Sequence, residues 1–233
     1  MNIDIPMLDK ITIGTGCDAP QTITAETPAS AMQWVAVLAG EPWSRQPKCA
    51  SPIVTAWMRA INGVLDEDYV VDAQALRTSL LRPLIPRIIG SRGADEVEAI
   101  RRYIGIDFLV RQAAPMALEA IGLPNRAQTL RDLPEINSGN PLPYSHVQKA
   151  RDEALHLDPP LPGDELNDWE RGLDAGHSLE LMPQTSGTDY YNIHEVLRFL
   201  LYAMSEGTSP TSEIRICQAA VRCVESMLTV GAG

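Results

Sequence analysis

The chain has 233 residues, of which 45% are hydrophobic and 21% charged, and its formal net charge is −11. This composition indicates a globular protein with a sizeable core, and the acidic balance argues against a chain that binds nucleic acid through its whole surface. Four cysteines are too few for a disulfide scaffold, and no apolar run approaches the ~20 residues that cross a bilayer. We therefore expect a cytoplasmic protein with no membrane partner.

Residues 1–26 contain Gly14-Thr15-Gly16-Cys17-Asp18-Ala19, which matches the letters of a G-x-G-x-x-A dinucleotide fingerprint. That fingerprint requires a helix immediately after it and a parallel sheet to carry it. Here Pro20 follows, and the first helix signal comes later, at Thr27 with Pro28 in the first helical position. We interpret residues 1–26 as a short non-helical N-terminal arm in which the glycines shape turns.

Apolar residues at helical spacing predict amphipathic helices through residues 27–155, which we interpret as a helical domain. Ser51 followed by Pro52 marks one helix start, and Asp72 and Asp95 are candidate caps of two others. Gly40 is expected to end the first helix, and prolines at 83, 86 and 115 should break or kink later ones. In the helix from Pro52 we expect a solvated face that carries Thr55, Arg59, Asn62 and Asp66.

The second half of the chain has a different character. Residues 156–163 are rich in proline and predict a linker. Residues 164–233 then predict a C-terminal helical subdomain packed on the first domain, with amphipathic helices after Asp189 and after Ser209. The predicted fold class is therefore all-α, an irregular multi-helix domain of about six to eight helices.

The sequence predicts no cofactor, no metal site and no catalytic constellation. Cys217 and Cys223 are six residues apart on a predicted helix, about 240° around its axis, and so do not converge on one ion. None of the four histidines belongs to an H-x-x-x-H pair. Cys49 follows Lys48, whose charge would lower the thiol pKa, but no base is placed beside it.

Asp107 falls on an apolar stripe of its predicted helix, together with Val97, Ile100 and Ile104. A carboxylate facing a core is costly unless it is paired, and Arg111 at i+4 is the expected partner. We interpret Asp107 and Arg111 as an internal ion pair that fixes how the helices register. The alternative is a functional polar pocket at this place.

Trp43 lies in a stiff, proline-containing loop between the first two predicted helices. Its indole either packs back onto the helices or is presented to a partner, as rigid aromatic side chains are at interfaces. Together with the arginines around the proline-broken helix it predicts a partner-binding surface. The residues of that predicted surface are Trp43, Arg45, Arg82, Arg87 and Arg92.

Three runs of residues, LAGEPWSRQPKCASPIV, LLRPLIPRIIGSRG and AIRRYIGIDFLVRQAAPMALEAIGL, carry a resemblance. Over residues 30–123 the chain resembles a segment that recurs in uncharacterised helical proteins of actinobacteria and related high-GC bacteria. The Trp-Ser pair, Pro47, Cys49 and the spacing of the Pro-Arg and Gly-Arg-Gly elements occur together in it. The resemblance implies a helical fold and carries no activity, cofactor or site residue.

The leading hypothesis for function is a non-enzymatic accessory or adaptor subunit that docks on a protein partner through helix faces and the Trp43 loop. One alternative is association with nucleic acid through residues 73–131, which hold nine basic and five acidic residues. Another is an enzyme with a dispersed site around Asp107, Arg111 and Cys49. The sequence leaves the oligomeric state open.

Overall fold

The computed structural model describes residues 8–65, 72–120, 124–140 and 211–231, and this part of the chain is helical without any β-strand. The helices are α1 (Ala31–Leu38), α2 (Pro52–Val64), α3 (Ala73–Leu81), α4 (Ile85–Ile88), α5 (Asp95–Phe108), α6 (Ala114–Ala120), α7 (Pro124–Arg131) and α8 (Thr211–Thr229). The all-α prediction is therefore confirmed. The predicted linker at 156–163 and the predicted helix after Asp189 lie outside the described residues.

The start of α1 differs from the prediction. The helix begins at Ala31 and is capped by Ser30, whose side chain and that of Gln33 form a reciprocal capping box. Thr27 and Pro28 precede the helix because residues 28–29 pair with the arm: the carbonyl groups of Pro28 and Ala29 accept hydrogen bonds from the amides of Gly16 and Gly14. An extended pairing of this kind is incompatible with helical backbone at Pro28.

The glycines of the arm serve this pairing. A Cβ atom on Gly14 would stand 2.6 Å from the Pro28 carbonyl oxygen, so only glycine permits the close approach. Gly16 has a φ of 102°, a left-handed conformation that favours glycine. Residues 9–30 contain no helix or strand, so the predicted non-helical arm is confirmed from residue 9 onward, whereas Leu8 is helical.

The predicted solvated face of α2 is wrong at two positions. Asn62 is only 4% exposed and Thr55 is buried, whereas Arg59 is half-buried and Asp66 lies outside the described residues. Asn62 joins the arm to α1, because its Nδ2 donates to the Gly14 carbonyl (3.1 Å) and its Oδ1 accepts from the Ala31 amide (3.2 Å). The arm covers this face of α2 and so places a polar residue in the core. Helical periodicity does not predict such a cover.

Other helix boundaries follow from capping and proline. Gly40, with a φ of 72°, ends α1, and the Glu41 amide donates to the Ala36 carbonyl, as in a Schellman motif. The Ser51 hydroxyl caps α2 ahead of Pro52, as predicted. Asp72 precedes α3 without a side-chain capping bond, which corrects its predicted role.

Of the prolines predicted to break or kink helices, Pro83 separates two helices, Pro86 lies in the first turn of α4, and the helix continues through Pro115 with a change of winding just before it. Pro83 lies in a 3₁₀ turn, Arg82–Leu84, between α3 and α4. Pro115 follows a π-helical segment, Leu109–Ala113, which connects α5 to α6. A proline has no amide hydrogen to donate, and the wider π turn is one way in which a helix accommodates that loss.

Helices α2, α5 and α8 pack against one another and form the centre of the described core. Trp57 of α2 meets Phe108 of α5 edge to face, with ring centroids 5.6 Å apart. Gly105 of α5 allows this approach, since a Cβ atom there would stand 2.8 Å from Trp57 Nε1. Among the described residues no helix is both long and apolar enough to span a membrane.

A buried arginine joins these helices. Arg101 of α5 is 3% exposed, and its Nε and Nη2 donate to the carbonyl groups of Met227 (3.0 Å) and Val230 (2.9 Å) at the end of α8. Its Nη1 donates to the Ser91 carbonyl (2.6 Å) and to the Glu98 carboxylate (2.8 Å). The last carbonyl groups of a helix have no partner within it, so a cation placed there satisfies them.

We predict that Arg101→Met lowers the free energy of unfolding by about 3–5 kcal/mol, because it leaves Glu98 and the carbonyl groups at the end of α8 without their partner in the core. Urea denaturation of the full chain measures the change. Arg215→Met, at an exposed position of α8, is the matched control and should change stability by about 0.5 kcal/mol or less. Equal effects of the two substitutions would contradict the structural role of Arg101.

Candidate partner-binding face

Part of the apolar stripe that the sequence assigns to the core of α5 lies outside that core. The buried residues of α5 are Arg101, Gly105, Ile106 and Phe108, whereas Ile100 on the predicted stripe is 50% exposed. Tyr103 and Ile104 are partly buried and pack against the core, so within the described residues the stripe opens to solvent at Ile100. Ile100 and Ile23 are the two large apolar side chains that the described part of the chain leaves exposed.

The outer face of α5 forms the wall of an open cleft of about 670 Å³. The α5 residues along it recur at helical spacing and are Glu96, Ala99, Ile100, Tyr103, Ile104, Asp107 and the buried Phe108. Helix α8 supplies the second wall through Arg222, Cys223 and Ser226, and the segment after α7 supplies the rim through residues 135–138. We call the α5 side of this cleft the outer α5 face.

Asp107 ties the rim of the cleft to α5. Its Oδ1 accepts from Arg111 Nη1 (2.9 Å) and from the Ile136 amide (2.9 Å). The structure thus places Asp107 and Arg111 in the expected ion pair, with Arg111 in the π-helical segment. The carboxylate fixes the segment after α7 and also lines the cleft. The ion pair and the cleft, which correspond to the two alternatives for Asp107, therefore lie at the same place.

The structure places Trp43 against the arm. Its indole is half-buried, and Nε1 donates to the Cys17 carbonyl (3.1 Å), an acceptor that it shares with Gln33 Nε2 (2.5 Å). The Arg45 side chain is exposed and passes beside Gly16, where a Cβ atom would stand 3.1 Å from Arg45 Nη2. Of the two alternatives for the indole, packing back onto the molecule is the one observed.

The other predicted surface arginines each contact a different segment of the chain. Arg82 donates to the carbonyl groups of Asp9 (2.9 Å) and Ile11 (3.4 Å) in the arm. Arg87 is half exposed and lies 3.4 Å from the Glu225 carboxylate of α8. Arg92 donates to the Lys48 carbonyl (3.4 Å). These contacts hold segments of the chain together, and none of them joins one of the five predicted surface residues to another.

The Cys49 thiol is not activated by Lys48. Burial raises the pKa of Cys49, and the neighbouring Glu41 carboxylate raises it further. The Lys48 and Cys49 amides both donate to Glu41, at 2.6 and 2.7 Å, so the loop folds around an acid. This corrects the expected effect of Lys48, because the carboxylate that orders the loop opposes formation of a thiolate.

The second thiol near a carboxylate, that of Cys223, is buried. Burial raises the pKa of Cys223, and the charge of Asp107 adds to that effect. No cluster of three or more metal-ligating side chains occurs among the residues that the structure describes. The contacts of Cys49 are with Glu41 and the Gly90–Arg92 segment, and those of Asp107 are with residues 111 and 136. Of the three residues in the alternative of a dispersed enzyme site, Asp107 and Arg111 are paired, whereas Cys49 shares none of these contacts with them.

Comparison with protein-family models, with curated proteins and with solved structures finds no match for this chain.

Sequence reasoning missed the outer α5 face because it assigned that stripe to the core. The signal was nevertheless present, because the apolar residues of α5 cover one broad arc that runs from Ile100 through Ile104 and Phe108 to Gly105. The α2 and α8 pair covers the Gly105 and Phe108 side of this arc and leaves Ile100 half exposed at its edge.

We predict that Glu41 stabilises the loop in a pH-dependent way. Although burial on its own would raise the pKa of Glu41, the Lys48 and Cys49 amides donate to the carboxylate, and the net pKa is lowered from 4.5. A depressed pKa stabilises the fold above the unfolded value and loses that contribution as pH falls through the folded value.

The measurement is the difference in melting temperature between the native chain and Glu41→Gln from pH 7 to pH 3. The difference should be constant at neutral pH and shrink below about pH 4.5. Glu26→Gln, at an exposed position of the arm, is the control. A difference for Glu41→Gln that does not change with pH would contradict the role assigned to the ionised carboxylate.

Proposed function

We propose that this chain is a non-enzymatic accessory or adaptor subunit that docks on a protein partner through the outer α5 face. The observation that carries the proposal is Ile100, a large apolar side chain left 50% exposed in the middle of a continuous apolar stripe. Isolated exposed apolar residues are common on protein surfaces, but one that lies on the wall of an open cleft, beside the partly buried Tyr103 and Ile104, is typical of an interaction site.

The shape of the face favours a helix or strand of another protein over a small molecule. From Glu96 to Asp107 the stripe spans twelve residues, and the eleven steps between them cover about 16 Å along the helix axis at 1.5 Å per residue. That length matches three turns of a partner helix, which would bind by placing its apolar face in the groove. The Trp43 indole, tied to Cys17, supports the fold of the arm in this proposal and does not contact the partner.

The arginines of residues 73–131 weigh against nucleic-acid binding as the function. Seven of the nine basic residues in that segment bond to carbonyl or carboxylate groups of the chain itself. These seven are Arg77, Arg82, Arg87, Arg92, Arg101, Arg111 and Arg131. Phosphate binding requires cations that face solvent. Four of the seven, Arg87, Arg101, Arg111 and Arg131, pair with carboxylates of the chain. This neutralisation and the acidic net charge of the whole chain favour the protein-docking proposal.

A photo-reactive benzophenone amino acid at position 100 of the full chain, expressed in its source cells, tests the proposal. We expect a discrete covalent adduct with another protein upon illumination, because the side chain at this position points into the partner interface. Position 23 is the matched control, since Ile23 is also a large exposed apolar residue (39%) but lies on the arm. Adducts from both positions alike, or links only within the chain itself, would contradict the proposal.

A further inference from the structure

We infer that the partner segment is a basic amphipathic helix, with an aliphatic centre flanked by Lys or Arg at both ends. This inference rests on the proposed function and adds the chemistry of the partner. It follows from the order of residues along the outer α5 face, where the apolar side chains Ile100, Tyr103 and Ile104 lie between two carboxylates, Glu96 and Asp107.

The carboxylates surround the groove. Glu96 lies in the first turn of α5 and is exposed, and Asp107 closes the stripe about 16 Å further along the axis. Glu135, also exposed, stands on the rim formed by the segment after α7. Arg111 already neutralises part of the charge of Asp107, and Arg222 on α8 is the one basic residue that lines the described cleft. With Asp107 partly neutralised by Arg111, the two exposed acids Glu96 and Glu135 against Arg222 still leave the groove negative.

A basic helix satisfies this pattern better than the other candidate occupants. Residues 141–210 of the chain itself hold twelve acidic and four basic residues, a net charge of −8. A second copy of the chain carries a net charge of −11. Like charges facing each other across an interface oppose association, whereas complementary charges steer the partner and select against wrong ones. The partner helix would place its apolar residues on Ile100 and Ile104 and its cations beside Glu96 and Glu135.

Two synthetic helical peptides serve as probes. Both carry leucines at i, i+3, i+4 and i+7 on one face; one has lysines at both ends of that face and the other has glutamates at the same positions. Binding of each fluorescein-labelled peptide to the full chain is followed by fluorescence anisotropy at low salt. We expect the lysine peptide to bind at least about tenfold more tightly, because charge complementarity acts at both ends of the groove.

Charge-reversal substitutions on the protein test whether the preference for the lysine peptide arises at the groove. Glu96→Lys with Glu135→Lys should invert the preference, so that the glutamate peptide becomes the tighter ligand. Asp18→Lys with Glu26→Lys, at exposed positions of the arm, changes the net charge equally and should leave the preference for the lysine peptide in place. Ile100→Asn should weaken both peptides alike, about tenfold, by removing the shared apolar contact.

Equal binding of the two peptides, no binding of either, or a preference that both double variants change to the same extent would overturn the inference. In the last case the peptides would respond only to net charge. The two proposals fail separately. A protein adduct at position 100 without any peptide preference would retain the docking function and reject the basic helix, whereas loss of that adduct would reject the docking function itself.

Discussion

The buried guanidinium group of Arg101 is the interaction on which the centre of this fold depends. Because it is only 3% exposed, its charge and its N–H groups require partners within the protein. Two carbonyl groups at the end of α8 and the Ser91 carbonyl before α5 accept its hydrogen bonds, and the Glu98 carboxylate balances its charge. Glu98 also accepts from the Ser51 hydroxyl that caps α2. The N-terminus of α2, the C-terminus of α8 and the first turns of α5 thus meet at one ion pair.

Arg77 makes the same kind of contact with carbonyl groups at the end of α2. Its guanidinium donates to the carbonyl groups of Asn62 and Leu65, which have the same positions relative to the end of α2 as Met227 and Val230 have relative to the end of α8. The whole chain contains only two phenylalanines. Directional hydrogen bonds at helix ends therefore fix how the helices of the core are arranged. Because Arg101 and Gly105 commit one side of α5 to these contacts, Ile100 at the edge of that side remains half exposed.

Local chemistry predicted much of this fold from sequence. Ser51 before Pro52, Gly40 after α1 and the prolines at 83 and 115 act on backbone groups close to them in the chain, so their effects are visible in a short window. Asn62 and Arg101 could not be predicted in the same way, since their partners lie 31 and 126 residues away. Periodicity showed that the Ile100 stripe is apolar, but it does not report which part of that apolar arc packs inward.

Solvent accessibility of the Ile100 methyl group in the full chain tests most directly whether the outer α5 face is open. Paramagnetic relaxation of methyl resonances by a soluble gadolinium chelate compares Ile100, which is 50% exposed, with Ile106 on the same helix, which is 3% exposed. Strong relaxation of the Ile100 methyl and weak relaxation of the Ile106 methyl are predicted. Equal protection of both methyl groups would show that the chain covers this face itself, and would contradict a free docking surface.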